Sequence, residues 1–407
     1  MDPTFSYTYS IHYIALFVLL FLLFLWENRI RKSDGDIKVI RYICMLIFFV
    51  FFGCRGFLDT DFVLYYSGYE SAPTVWNTEG IAKFFSGFND QYILKIEPGF
   101  KVFMILVKSI SEEYYFLQLV SALIDILFLN YFLKKYSPQY VLGYIMFLIF
   151  SGLIIEFNLL RNSKAIFLFM YSLQFIKERN ALKYFLCNGL GLLMHTSAIF
   201  YFPLYFFLHK KTPTPIVWGL FVVGNIIYLG QIKYITPMVT AIGNLLGGAY
   251  SLMAEFYSED KLYSSGYGIT MGYLEKVLTF LLFYASFKKI GEFIKDEKMH
   301  NIFFNLFLIF TTTYLFLSEY SVLIDRMTTL FVMSYWILYP YFYVVLRKIF
   351  KTVFSVILFL FGIYKMVNSN NNILRKYENI LWDNPSSTKA FYIINKNIDK
   401  VLNPKKR

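Results

Sequence analysis

Four polar residues border long apolar stretches of this chain: Arg55, Arg161, His195 and Arg326, the last preceded by Asp325. Arginine stays charged and offers planar, bidentate donors to phosphate oxygens. Histidine, titrating near pH ~6.5 in the absence of perturbation, is the usual general base at neutral pH. Three arginines and a histidine around one cavity would make an anion site beside a base. Taken singly, each arginine reads as an anchor whose head reaches the lipid headgroups, and His195 reads as a helix-cap or packing residue. Asp59 and Asp61 form an Asp-x-Asp pair of the kind that binds a divalent cation, although such pairs also cap turns and helices. Tyr65 and Tyr66 suit a sugar face or the membrane interface. Glu97-Pro98-Gly99 is a turn whose carboxylate can orient a sugar hydroxyl or cap the next helix. Asp125, in the middle of an apolar run, reads as a helix–helix hydrogen-bond partner near Asn130 rather than as a proton relay.

The elements that must position these residues follow from composition. Of 407 residues, 57% are apolar, 21% aromatic and only 16% charged. An ordinary soluble domain carries about 25% charged residues, and a single soluble core cannot hide this much apolar surface. A soluble enzyme, a disordered chain and a disulfide-stapled secreted domain are excluded. Cys44, Cys54 and Cys187 have no metal spacing and read as small buried residues. The net charge of +12 sits mainly at the ends of apolar runs. It fits topology signals and anionic lipid contact, with no nucleic-acid partner. The expected fold is an all-α polytopic integral membrane protein of about 11–12 transmembrane segments.

Twelve apolar runs, from 11–26 to 353–364, support that expectation. The first is followed by Arg29, Arg31 and Lys32 and reads as an uncleaved span. With the loop after it in the cytoplasm, inner loops collect nineteen basic residues and outer loops ten, which puts the N-terminus outside. The balance requires 184–208 to be a hairpin with His195 at its tip. Arg55, Arg161, His195 and Arg326 then face one side. Residues 1–367 read as one transmembrane domain with large outer loops at about 55–113 and 232–272. The second of these holds Gly247-Gly248, an acidic patch (Glu255, Glu259, Asp260) and a Tyr/Ser/Gly cluster at 263–268. Residues 100–108 read as an interfacial amphipathic helix, 368–372 as an Asn-rich linker and 368–407 as a polar basic tail. Run 353–364 is short enough to be interfacial, and the side of the tail stays open.

Arg55-Gly-Phe-x-x-Thr-Asp61 with Tyr65-Tyr66, Glu97-Pro98-Gly99-Phe100, Asn158-x-x-Arg161, His195-x-Ser197-Ala198 with Pro203 downstream, and Asp325-Arg326 ahead of a late span occur in that order. Together they resemble the EpsG family of Wzy-type bacterial exopolysaccharide and O-antigen polymerases, over roughly 50–340. The resemblance implies a GT-C-like membrane glycosyltransferase of the bacterial inner membrane, acting on its periplasmic face. Such an enzyme transfers a growing glycan from undecaprenyl diphosphate to a new lipid-linked repeat unit. No metal or other cofactor is implied, and a Wzz-type chain-length regulator is an implied partner. Arg161 and Arg326 would bind the diphosphate, and Arg55 would assist them or hold Asp59 and Asp61. His195 would be the first candidate base, with Asp61 and Glu97 behind it. Asp59, Asp61, Tyr65, Tyr66, Glu97, Asn158 and Asp325 would contact substrate. A polyprenyl-phosphate-sugar-dependent GT-C transferase and a lipid-linked glycan flippase are the alternatives.

Overall fold

The computed structural model describes residues 3–30, 34–87, 96–246 and 268–402. The protein is an all-α polytopic membrane protein. Among the described residues there is no β-strand, and extended pairing is limited to isolated bridges. The helices are α1 (Ile11–Arg29), α2 (Asp34–Phe48), α3 (Phe62–Ser71), α4 (Thr78–Ser86), α5 (Pro98–Lys108), α6 (Tyr114–Tyr136), α7 (Tyr140–Phe157), α8 (Leu160–Lys177) and α9 (Ala181–Met194). After them come α10 (Thr214–Gly230), α11 (Ile235–Leu246), α12 (Met271–Ile294), α13 (Glu297–Phe316), α14 (Ser321–Thr329), α15 (Met333–Val345), α16 (Lys348–Ser369) and α17 (Ser387–Leu402).

Among the described residues, five helices are long and apolar enough to cross a membrane unaided: Tyr7–Arg29, α6, α7, α13 and α16. The bent pair Leu323–Thr329 and Met333–Val345, at 61°, makes a sixth if taken as one span. Other apolar runs are helical but short of the ~20 residues a crossing needs, or too polar. Helix α8 opens on Arg161, Asn162, Ser163 and Lys164, and α12 carries Glu275, Lys276, Lys288, Lys289 and Glu292. Run 353–364 is longer than its apolar stretch suggested, because α16 extends over 22 residues.

The chain forms two compact units, Met1–Tyr205 with Tyr339–Arg407, and Phe206–Leu338. In the first, α1 buries Tyr13, Phe17, Leu20 and Phe24 and exposes Leu19, Leu22 and Leu25. Both faces are apolar, so lipid is as good a solvent as protein for either, and helix pairing relies on close packing. Gly362 of α16 supplies that closeness. A Cβ there would fall 2.1 Å from the Phe17 ring. Helix α7 is broken at Phe150 and Ser151, where Ser151 takes φ 66°. A break inside a span is tolerated where protein surrounds it, and the flanking Ile149, Phe150 and Gly152 are buried.

Polar groups inside this unit find partners across helices. Lys164 Nζ of α8 lies 2.6 Å from Asp125 Oδ2 of α6 and 2.7 Å from Ser121 Oγ, and Ser163 Oγ donates to the same Asp125 oxygen at 2.9 Å. Asp125 is thus a helix–helix partner, but of α8. Asn130 instead accepts from Tyr140 Oη at 2.6 Å.

The expected hairpin at 184–208 is present. Helix α9 stops at His195, whose backbone is extended at φ −157°, and a 3-10 helix, Thr196–Phe206, runs back. Tyr184 Oη donates to Tyr201 O at 2.5 Å and Arg179 Nη1 to Tyr205 O at 2.8 Å. At ~1.5 Å per residue for the α arm and ~2.0 Å for the 3-10 arm, each reaches roughly 21–22 Å. That is short of the ~30 Å hydrocarbon core.

The segment between α2 and α6 folds into its own small core, with Tyr65, Tyr69, Phe84, Phe100, Met104 and Leu117 buried together. Helix α5, at the position of the expected interfacial helix, packs one face into this core and leaves Val102 and Leu106 exposed on the other. Its two lysines find partners within the protein. Lys101 Nζ donates to Phe84 O at 3.2 Å, and Lys108 Nζ donates to Tyr69 O and Glu70 O at 2.8 and 2.7 Å. Each cation caps carbonyls in the last turn of another helix, where the helix dipole favours positive charge.

The Asn-rich stretch at 368–372 is not a linker. Asn370 is fully buried, Ser6 N–H donates to Asn371 O at 2.8 Å, and Ile373 N–H donates to Thr4 O at 2.9 Å. The tail after α16 is thereby tied to the N-terminus, and Tyr13 Oη donates to Arg375 O at 2.9 Å. The tail lies at the same end of the unit as the start of α1 and the end of α2.

In the second unit α10, α12 and α13 pack through rings, with Phe221 and Phe280 stacked at 3.8 Å and Tyr228 and Tyr273 at 4.5 Å. The buried Glu319 carboxylate accepts N–H bonds from Tyr234, Ile235 and Thr236 at 3.0, 2.6 and 3.0 Å. It anchors the start of α11 by filling the unsatisfied donors of a helix N-terminus. The Gly247-Gly248 pair, the acidic patch and most of the 263–268 cluster lie outside the described residues.

Replacing Asp125 by Ala would leave the Lys164 ammonium buried without its counter-charge, a loss of about 3–5 kcal/mol. The expected outcome is a lower melting temperature of the purified protein in detergent. The Asp125→Asn/Lys164→Met double variant should melt closer to wild type than Asp125→Ala. Equal melting of Asp125→Ala and wild type would show that the pair contributes nothing.

Candidate active site

The site is built at one end of the first unit, where α5, α8 and the hairpin meet. Each piece of Glu97-Pro98-Gly99 has a task. Pro98 occupies the first turn of α5, where its missing N–H costs nothing. Gly99 lets the start of α5 approach the end of α9, since a Cβ there would lie 2.7 Å from Leu193 O. That approach carries the Glu97 side chain to two other helix ends.

Glu97 Oε2 is hydrogen-bonded and ion-paired to Arg161 Nη1 in the first turn of α8. Oε1 accepts the Thr196 N–H at 3.2 Å and lies 4.0 Å from His195 Nε2. The imidazole is held from its other side. Nδ1 accepts the Ser197 N–H at 3.2 Å and is 2.7 Å from Ser197 Oγ, which reaches Asn162 Oδ1 at 2.8 Å. With Nδ1 accepting, the proton of the neutral ring is assigned to Nε2, the nitrogen turned to Glu97. Side-chain exposure is 14% for Arg161, 11% for Glu97 and 25% for His195. The three are shielded enough for strong electrostatics, and the histidine is the most accessible.

Tyr65 of α3 forms the floor. The Arg161 guanidinium lies 5.9 Å from its ring centroid, and its hydroxyl donates to Asn158 O at 2.9 Å. Burial pushes the phenol up to about 12, so it remains neutral at physiological pH. A buried Tyr65 is a wall under Arg161 and not the open sugar platform its position suggested. Tyr66 packs among Phe57, Tyr114 and Phe391. Asn158 contributes its carbonyl at the end of α7.

Arg55 departs most from expectation. It is buried, and its guanidinium donates to the carbonyls of Phe52 and Glu156, the latter at 2.7 Å, beside the Phe157 ring. It ties the end of α2 to the end of α7 and does not hold the aspartates. Asp59 is instead ion-paired with Arg375 of the tail. That cation balances its charge. Asp61 stands at the start of α3, where its carbonyl accepts the Leu64 N–H at 3.1 Å. Asp325 and Arg326 are exposed on α14 and belong to the second unit. The structure thus brings together Glu97, Arg161, His195, Tyr65 and Asn158.

Ser197 and Asn162, which orient His195, carried a weak signal in the two-residue His-x-Ser spacing and the first turn of α8. Arg375 carried none.

The sequence model of the EpsG family matches residues 38–380, and the chain belongs to that family. Membership gives it a polysaccharide-polymerase-type role in a membrane. No curated protein and no solved structure matches the chain.

Gly99→Ala should cost at least about tenfold in polymer output, because misplacing a reacting group by ~1 Å can cost that much or more. The measurement is surface polysaccharide from a deletion strain expressing the variant at wild-type level in the membrane. Undiminished polymer would mean that the approach of α5 to the hairpin does not matter.

Proposed function

We propose that the protein polymerises undecaprenyl-diphosphate-linked oligosaccharide repeat units at the periplasmic face of the bacterial inner membrane. The observation that carries this reading is the Arg161–Glu97–His195 constellation in a chain of the EpsG family. A hydroxyl of the incoming repeat unit attacks the anomeric carbon of the growing glycan. The bond from that carbon to the diphosphate oxygen breaks, and undecaprenyl diphosphate leaves with the electron pair. His195 takes the hydroxyl proton at Nδ1, its unprotonated nitrogen, in exchange for the Ser197 contacts there, and the Glu97 carboxylate beside Nε2–H stabilises the imidazolium that results.

The leaving oxygens gain negative charge as the bond breaks. A fixed guanidinium in a shielded site stabilises that charge, and Arg161 has this role. Arg326 is assigned the same anion-binding chemistry. Guanidinium groups supply what a divalent cation would otherwise provide.

Arg161→Ala and Arg326→Ala should each abolish polymerisation in a deletion strain while the protein still reaches the membrane. On a gel of surface polysaccharide the ladder should collapse to a single repeat. Full-length polymer from either variant would remove that arginine from the mechanism. A repeat unit lacking one side sugar, with polymer length intact, would point to a single-sugar transferase instead.

A further inference from the structure

The tail that follows α16 makes a contact that reaches the site. From Ile373 to Ile380 it runs beside the segment that joins α2 to α3. Gly56 N–H donates to Glu378 O at 2.7 Å, Ile380 N–H donates to Cys54 O at 2.8 Å, and Asp59 N–H donates to Leu374 O at 2.8 Å. Asp59 is therefore held by its backbone to Leu374 and by its carboxylate to Arg375. It also sits at φ 63°, a left-handed conformation that a non-glycine residue keeps only where its surroundings hold it.

Asp59 stands three residues before α3, and α3 carries Tyr65, the floor under Arg161. Arg375 also lies 5.2 Å from the Phe157 ring, next to the Asn158 carbonyl that receives the Tyr65 hydroxyl. The tail helix α17 adds an apolar cover. Its Phe391 packs on Phe62 and Tyr66 at the start of α3.

We propose that Arg375 is a positioning residue: its ion pair with Asp59 fixes the start of α3, and through Tyr65 the orientation of Arg161. The polar tail beyond the last span is then a working part of the catalytic centre. This rests on the reading of Glu97, Arg161 and His195 as that centre. Other contacts hold the tail without Arg375. Tyr377 stacks on Phe51 at 4.4 Å and donates to its carbonyl, and Asn379 donates to Val50 O at 3.0 Å. Loss of the ion pair should therefore leave the tail attached while the site loosens.

The test uses the purified full-length chain with a lipid-linked repeat unit as substrate, comparing Arg375→Ala, Asp59→Asn, the double variant and Arg375→Lys. Asparagine tolerates the left-handed backbone at 59, so Asp59→Asn removes the charge and little else. We expect kcat to fall about tenfold in each single variant with KM within about twofold, as for a misplaced catalytic group. The double variant should lose no more than either single one, because both break one interaction. Arg375→Lys should recover a large part of kcat. Limited trypsin digestion should leave the 381–402 segment as protected as in wild type.

Wild-type kcat in Arg375→Ala, or multiplied losses in the double variant, would overturn the proposal. So would a tail that becomes protease-sensitive in step with the lost activity, which would make Arg375 a plain anchor. Arg161→Ala run alongside separates the two readings. If it is inactive while Arg375→Ala is normal, only the positioning role fails. If it is fully active, the assignment of the centre fails and this proposal falls with it.

Discussion

The Glu97 carboxylate is the joint on which this end of the first unit depends. One of its oxygens holds the first turn of α8 through Arg161, and the other holds the start of the 3-10 arm through the Thr196 N–H. Charge-assisted bonds of this kind contribute about 1.5–3 kcal/mol each, more than neutral ones. Pro98 and Gly99 have no charge to offer, yet the joint needs both. Proline starts the helix, and glycine removes the one atom that would keep α5 from Leu193. A glutamate on a flexible loop would satisfy the same valences without fixing three backbones relative to each other.

Inside the membrane the rules change, and the structure follows them. Apolar helices gain little by meeting one another in lipid, so contacts are made where backbones approach closely or polar groups pair. Gly362 against Phe17 is the first kind, and Lys164 with Asp125, Ser121 and Ser163 the second. Lys164 and Arg161 share the opening turns of α8. The buried pair that locks α8 to α6 therefore also sets the height at which Arg161 emerges beside Glu97.

Sequence reading located the site residues that lie at the ends of apolar runs. Arg161 and His195 stand at such ends, and the Glu97-Pro98-Gly99 turn is local, so one dimension suffices to place them. The hairpin was legible because basic residues must balance across the membrane. What was not legible depends on contacts between distant segments. Tyr65 looks like a platform until α5 and the start of α6 close over it. Lys101 and Lys108 look like the flanks of an interfacial helix, because nothing local shows two other helix ends waiting for cations. Asp59 and Asp61 look like a cation pair until Arg375 arrives from the far end of the chain.

The tail shows why charge counting left its side open. Residues 365–407 carry nine basic residues, which by number argues for the cytoplasm. Yet the positive-inside bias counts basic residues within ~15–20 residues of a span end, and six of the nine lie twenty or more residues beyond α16. Here Arg375 is neutralised by Asp59, and Lys389 lies 3.2 Å from Glu378. The neighbouring apolar residues Ile373, Leu374 and Tyr377 are buried within the first unit. With Arg375 and Lys389 paired, the segment is a packed element that carries cations. Backbone pairing to residues 4–6 and 54–59 places it at the end of the unit where α1 starts and α2 ends. The same pairing makes the tail inseparable from the residues that set the start of α3, so its placement and the geometry around Arg161 are one structural fact.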